Sequence, residues 1–254
     1  MDPVIQPVST LDQRGTSQTT ARRMLLGAVV LVLVMMWIPY SQFVLYPVRL
    51  FVTLVHESGH ALAATLTGSA VEGIRLNPNA SGVTLIRATW WADWIINPAG
   101  YLGAALFGAM LLQLGRLRAK TAGKSILRFM AGYALVVTLV WCHNPAVSGL
   151  FTPVMGVLIA VIMGLLARYL PDRAAQFVAI FIAVECGLDA LNDLVTLLVI
   201  TTNHLGDNDA ANMAAVSHIP AIVWALLWAA LASILVFGSF RIYWRAVTRP
   251  KSAL

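Results

Sequence analysis

The chain has 254 residues, 59% of them hydrophobic and 11% charged, with a mean hydropathy of +0.78. A water-soluble domain carries about 25% charged residues, so the composition excludes an ordinary soluble fold and implies a polytopic membrane protein. The formal charge of +6 is no nucleic-acid signal, because the basic residues cluster at the ends of apolar segments, where they set orientation.

Residues 1–23 are polar, rich in Ser, Thr and Gln, and end in Ala21-Arg22-Arg23. They read as a disordered cytoplasmic tail. The apolar run over 24–46 is too long for a signal-peptide core and reads as an uncleaved first span, with Pro39 expected to kink it. Residues 47–67 predict a helix that contains His56-Glu57-Ser58-Gly59-His60, with Gly68 as its C-cap. VEGIRL and GVTLIR then flank the turn-rich NPNASG, which predicts a β-hairpin. Trp90, Trp91 and Trp94 suit a membrane–water interface. Apolar segments follow over 98–114, 126–141, 150–167, 174–200 and 219–244. The expected fold is an all-α polytopic membrane protein of six to seven membrane helices, with a small β-hairpin after the H-E-x-x-H helix. A single membrane domain covers 24–246, and 247–254 is a basic tail. Cys142 and Cys186 fall in or beside apolar spans and form no disulfide framework.

Arg116 to Arg128, Arg168 with Arg173, and Arg241 to Lys251 flank connections that alternation puts on one side, the cytoplasmic one. Arg14, Arg22 and Arg23 ask for the same side. Seven full crossings would separate the two ends. An element between 47 and 97 that enters and returns without crossing satisfies both demands; such a backbone needs protein or a wet cavity around it.

Residues i and i+4 share a helix face, so His56 and His60 can reach one metal ion, with Glu57 beside them as general base on a metal-bound water. The ordinary alternative, side chains satisfied by helix–helix hydrogen bonds, is weighed down by the cost of ionisable groups in a membrane. A catalytic zinc takes three protein ligands. Glu185, Asp189 and Asp193 recur at i, i+4 and i+8, with Asn192 alongside, and spacing does not choose among the carboxylates. An acidic stripe of this kind also pairs with arginines or lines a water-filled cavity. Asn97 and Asn144 are candidate oxyanion donors or, more plainly, cap and turn residues; His143 stands beside Asn144 at the same span end. His204, His218, Asp207 and Asp209 read as members of an external loop.

With HESGHALAATLTG, NPNASGVT, PAGYLGAALFG, ALNDL and the Asn208-Asp209-Ala210 triplet, the sequence resembles the site-2-protease-like intramembrane zinc metallopeptidases, peptidase family M-50, in its B-like branch. The resemblance implies Zn2+ held by His56, His60 and a late aspartate, matched by Asp193 in ALNDL, with Glu57 as base. Asp189, in Leu188-Asp189-Ala190, is similar to the family's Leu-Asp-Gly motif, with alanine for glycine and without the Asn-Pro-Asp-Gly form. It further implies an edge strand offered to an extended substrate. The function expected is hydrolysis of peptide bonds in or near transmembrane segments of membrane proteins. The setting expected is the lipid bilayer of a bacterial plasma membrane, with a cytoplasmic C-terminus and no nucleic-acid partner. The rivals are a metal-binding transporter or sensor without proteolysis, and an inactive membrane scaffold. Hydrolysis needs Glu57; the rivals do not.

Overall fold

The computed structural model describes residues 9–116, 122–203 and 208–248, with side chains from residue 19. Among them, six helices are long and apolar enough to cross a membrane. These are α1 (Ser9–Trp37, apolar from Thr19), α4 (Asp93–Gly115), α5 (Ala122–Trp141), α7 (Phe151–Tyr169), α8 (Asp172–Thr202) and α10 (Ala221–Thr248). The shorter helices are α2 (Ser41–Val44), α3 (Tyr46–Leu66), α6 (Pro145–Ser148) and α9 (Asp209–Ser217). The antiparallel hairpin pairs β1 (Ala70–Leu76) with β2 (Gly82–Arg87). The fold is therefore the expected one: helical, multi-pass, with one small sheet.

Several boundaries differ from the sequence reading. α1 begins at Ser9, inside the stretch read as a disordered tail, and ends at Trp37. The run over 24–46 is thus not one helix. The chain breaks ahead of Pro39, turns through Tyr40 at φ 66°, and restarts at Tyr46 as α3. α3 ends as expected at Gly68, whose φ of 73° allows a Schellman closure: Gly68 N–H donates to Thr65 O, and Ser69 N–H to Ala64 O. α4 starts at Asp93 rather than Pro98, and Pro98, lacking an N–H, deprives the Trp94 carbonyl of its intrahelical donor. Trp90, Trp91 and Trp94 are exposed, as an interfacial belt requires.

α8 is the central post. Every residue from Ala179 to Gly187 is buried, the mark of a helix surrounded on all sides, and α1, α4, α5 and α10 pack around it. Lipid tails are as apolar as leucine side chains, so close backbone approach at small residues drives such packing. A Cβ on Gly108 would stand 2.8 Å from the Ala183 carbonyl oxygen, and one on Gly156 2.0 Å from Thr138 Oγ1, at the α5–α7 contact.

Polar contacts mark the two ends of the bundle. At one end the Arg22 guanidinium lies 4.3 Å over the Trp244 ring, Lys124 meets Asp172 at 3.1 Å, and Gln176 Nε2 donates to the Gly115 carbonyl. At the other, Trp94 packs edge-on against Trp224, Asn97 faces Met213, and Arg75 donates to the Val147 carbonyl.

The α5–α7 contact yields a stability prediction. Gly156→Ala forces a methyl onto Thr138 and should destabilise the fold by about 1–3 kcal/mol, read as a lower midpoint of thermal unfolding in detergent. Adding Thr138→Ala should recover most of the loss; no recovery would refute the clash.

Candidate metal centre

The centre is assembled where α3 crosses α4. A Cβ on Gly59 would lie 2.4 Å from the Ala99 carbonyl oxygen, so a glycine is needed for the two backbones to come this close. His56 and His60, one turn apart on α3, both aim their Nε2 atoms at Gly100, and these atoms are 3.1 Å apart. A Cβ on Gly100 would stand 2.4 Å and 2.3 Å from them. His60 Nδ1 lies 2.7 Å from the Ile96 carbonyl. A carbonyl only accepts, so Nδ1 carries the proton and Nε2 presents a lone pair. His56 rests edge-on against Tyr101, with ring centroids 4.6 Å apart, and its Nδ1 is buried with no hydrogen-bond partner among the described residues.

The third group is Asp209. Its carboxylate oxygen is 3.7 Å from His60 Nε2, and ligand atoms of His56, His60 and Asp209 all lie within 4.8 Å of one another. Asp209 is the first residue of α9, and the Asn208 side chain caps that helix by accepting from Ala211 N–H. Ala210 and Met213 are buried and seat α9 on the bundle, with the Met213 sulfur 3.9 Å from Asn97 Nδ2.

Glu57 is roofed by the hairpin. Thr84 Oγ1 of β2 lies 2.7 Å from Glu57 Oε2 and 2.9 Å from the Glu57 carbonyl oxygen, and shares its one proton between them. A Cβ on Gly82 would be 2.6 Å from Glu57 Cγ. Thr53 and Tyr46, about one and three turns before Glu57 on the same face of α3, donate to the carbonyls of Ala80 and Pro78. The turn is thereby latched to the helix that carries the histidines. β1 is held on its other side, where Leu76 N–H donates to Thr152.

These residues fit a divalent metal of the zinc type. Two imidazole nitrogens on one tetrahedral ion at about 2.0–2.1 Å stand roughly 3.3 Å apart, close to the 3.1 Å observed. Two nitrogens and one carboxylate are the donor set of a catalytic zinc, which keeps a fourth position open.

Among the described residues the group within ligand distance of both histidines is Asp209, and Asp193 is not part of that cluster. The acidic stripe of α8 faces Arg49 instead, which interacts electrostatically with Glu185, Asp189 and Asp193. Arg49, Glu185, Asp189 and Asn192 line a separate cavity of about 470 Å³. Asp193 interacts electrostatically with Glu57. Asn144 caps α6 by accepting from Ala146 N–H, and His143 is exposed beside it. His218 ends α9 in a left-handed conformation, exposed. Asn97 is buried on α4, next to the Ile96 carbonyl that holds His60, and faces a weak thioether acceptor. His204 and Asp207 lie outside the described residues.

Asp209 was misread as a loop residue. The signal that marked it was a capping residue, Asn208, followed by an acidic first position and by apolar residues at 210 and 213, a short amphipathic helix that must bury one face.

Comparison with curated proteins finds no match, and neither does comparison with solved structures. A family model described as Peptidase M50B-like matches residues 26–239, which includes α3, the hairpin, α4, α8 and α9. With the match running from the first crossing helix into the last, the chain belongs to the Peptidase M50B-like family.

Proposed function

We propose that the chain is an intramembrane zinc metalloendopeptidase that cleaves membrane proteins in or near their transmembrane segments. The observation that carries this reading is the convergence of His56, His60 and Asp209 beside Glu57 and under β2. His56 and His60 Nε2 and an Asp209 carboxylate oxygen would hold the ion. When bound, zinc supplies a Lewis acid that polarises a carbonyl and brings the acidity of water towards neutral pH.

The protein's own groups do the rest. Glu57 takes a proton from the attacking water and hands it to the leaving amide nitrogen. Thr84 holds the Glu57 carboxylate in place and fixes one of its oxygens, leaving the other for proton transfer. The proton on His60 Nδ1 is committed to Ile96, which keeps the ring in one tautomer. The Asn97 amide is a candidate donor to the developing oxyanion, since its described partner is only a thioether. β2 has a single strand neighbour, β1, among the described residues. Its outer edge can take an extended segment by strand addition, which also unwinds a helical substrate and exposes its peptide bonds.

Three outcomes test this. Glu57→Gln should lower cleavage of a membrane-protein substrate by ~10²–10⁴-fold while zinc stays bound; retained cleavage would sink the mechanism. Zinc quantification on detergent-purified chains should find the metal in wild type and Asp193→Asn but lost from Asp209→Asn; the opposite order would return the ligand to α8. Thr84→Val should reduce kcat by about 10–100-fold with KM little changed, and Thr84→Ser should restore it.

A further inference from the structure

The candidate centre and the basic side chains occupy opposite ends of the bundle. The basic end is tied together by the Arg22–Trp244 stack, the Lys124–Asp172 pair and the Gln176–Gly115 bond. Arg116 closes α4 there, Arg168 and Arg173 flank the α7–α8 connection, and Arg241 and Arg245 lie in the last turns of α10. The centre sits at the far end. α4 shows the separation most directly, because Gly115 is at the basic end and Ile96 holds His60. The helix between them is about 28 Å long at 1.5 Å per residue, close to the ~30 Å of a bilayer's hydrocarbon core.

Apart from Arg49 of α3, which faces the α8 carboxylates, the far end carries only Arg75 and Arg87 among the described Lys and Arg residues. Both are engaged: Arg75 donates to the Val147 carbonyl and Arg87 pairs with Glu72 across the hairpin. Lys and Arg near the ends of membrane helices set orientation, with the richer side retained in the cytoplasm. Six crossing helices return both ends of the chain to one side, provided α3 and the hairpin dip and come back. α3 is absent from the helices apolar enough to cross, and its hairpin turn folds back along it to Tyr46.

We infer that the centre opens to the extracytoplasmic face, so that the bonds within its reach lie in the outer half of the bilayer. For the peptidase reading above, on which this part rests, the substrate class is membrane proteins presenting an extended segment at that level. The fragment released by cutting carries their extracytoplasmic part.

The test is cysteine labelling of the full chain in intact cells, with Cys142 and Cys186 replaced by alanine and a membrane-impermeant maleimide as probe. Ala88→Cys and Asn203→Cys report the centre's end; Tyr169→Cys and Pro171→Cys report the basic end. All four positions are exposed, and one of each pair suffices if the other fails to accumulate. The first pair should label fully in intact cells, and the second only after permeabilisation. The reverse pattern, or equal labelling of both ends in intact cells, overturns the inference. Single-span reporters with a cleavable segment in the outer or the inner half of the bilayer separate this from the chemistry. Cleavage of the outer reporter alone supports the placement, and cleavage of the inner one alone overturns it. Expected labelling with neither reporter cut supports the orientation and rejects the peptidase reading.

Discussion

A polar nitrogen taken from water into an apolar environment must find a partner or carry a desolvation cost of several kcal/mol, and the structure around α3 is arranged about two such nitrogens. His56 and His60 are driven together by the helix period, and the glycines at 59 and 100 let α4 close on them. One consequence is the Ile96 carbonyl at His60 Nδ1, which holds that ring in a single tautomer. Another is that a side chain at position 100 would collide with both rings, which leaves the converging nitrogens, with the Asp209 carboxylate beside them, open to a cation.

The hairpin is the second constraint. A two-stranded ribbon is marginal by itself, and here it is stabilised by what it touches. Side chains of α3 bind its turn, Thr152 binds β1, and Gly73 lets the bulged strand lie against Val147. Because Thr84 is bonded to Glu57, any shift in strand register would move the proposed general base as well. Structural support and chemistry are thereby joined in the same few hydrogen bonds.

Much of this was legible in the residues. The helix that carries the pentapeptide, the small residues of the α3–α4 crossing and the turn NPNASG all act locally, through spacing and propensity, and each stands where the residues place it. The placement of Asp209 beside the histidines was not legible. Acids in a membrane helix demand a cation, and Arg49, an isolated basic residue seven positions before His56, is one they face. Asp209 reaches the histidines only because α9 folds back against α4 and α10, a long-range docking that no local pattern encodes. The break at Trp37 was missed for a related reason: hydropathy is continuous through 24–46, while the backbone turns at Tyr40.

The complete burial of Ala179–Gly187 in α8 has a consequence for how the protein is made. α8 is the fifth of the six crossing helices in chain order. While a ribosome delivers α1, α4, α5 and α7, the slot that α1, α4 and α5 will share stays open to lipid or to the insertion machinery. Only when α8 arrives do the faces of α1, α4 and α5 acquire their common neighbour. Because α9 follows α8, Asp209 comes later still. The chain therefore remains without its third candidate ligand until most of its length has been inserted, so an early, half-built bundle holds the two histidines without the full donor set.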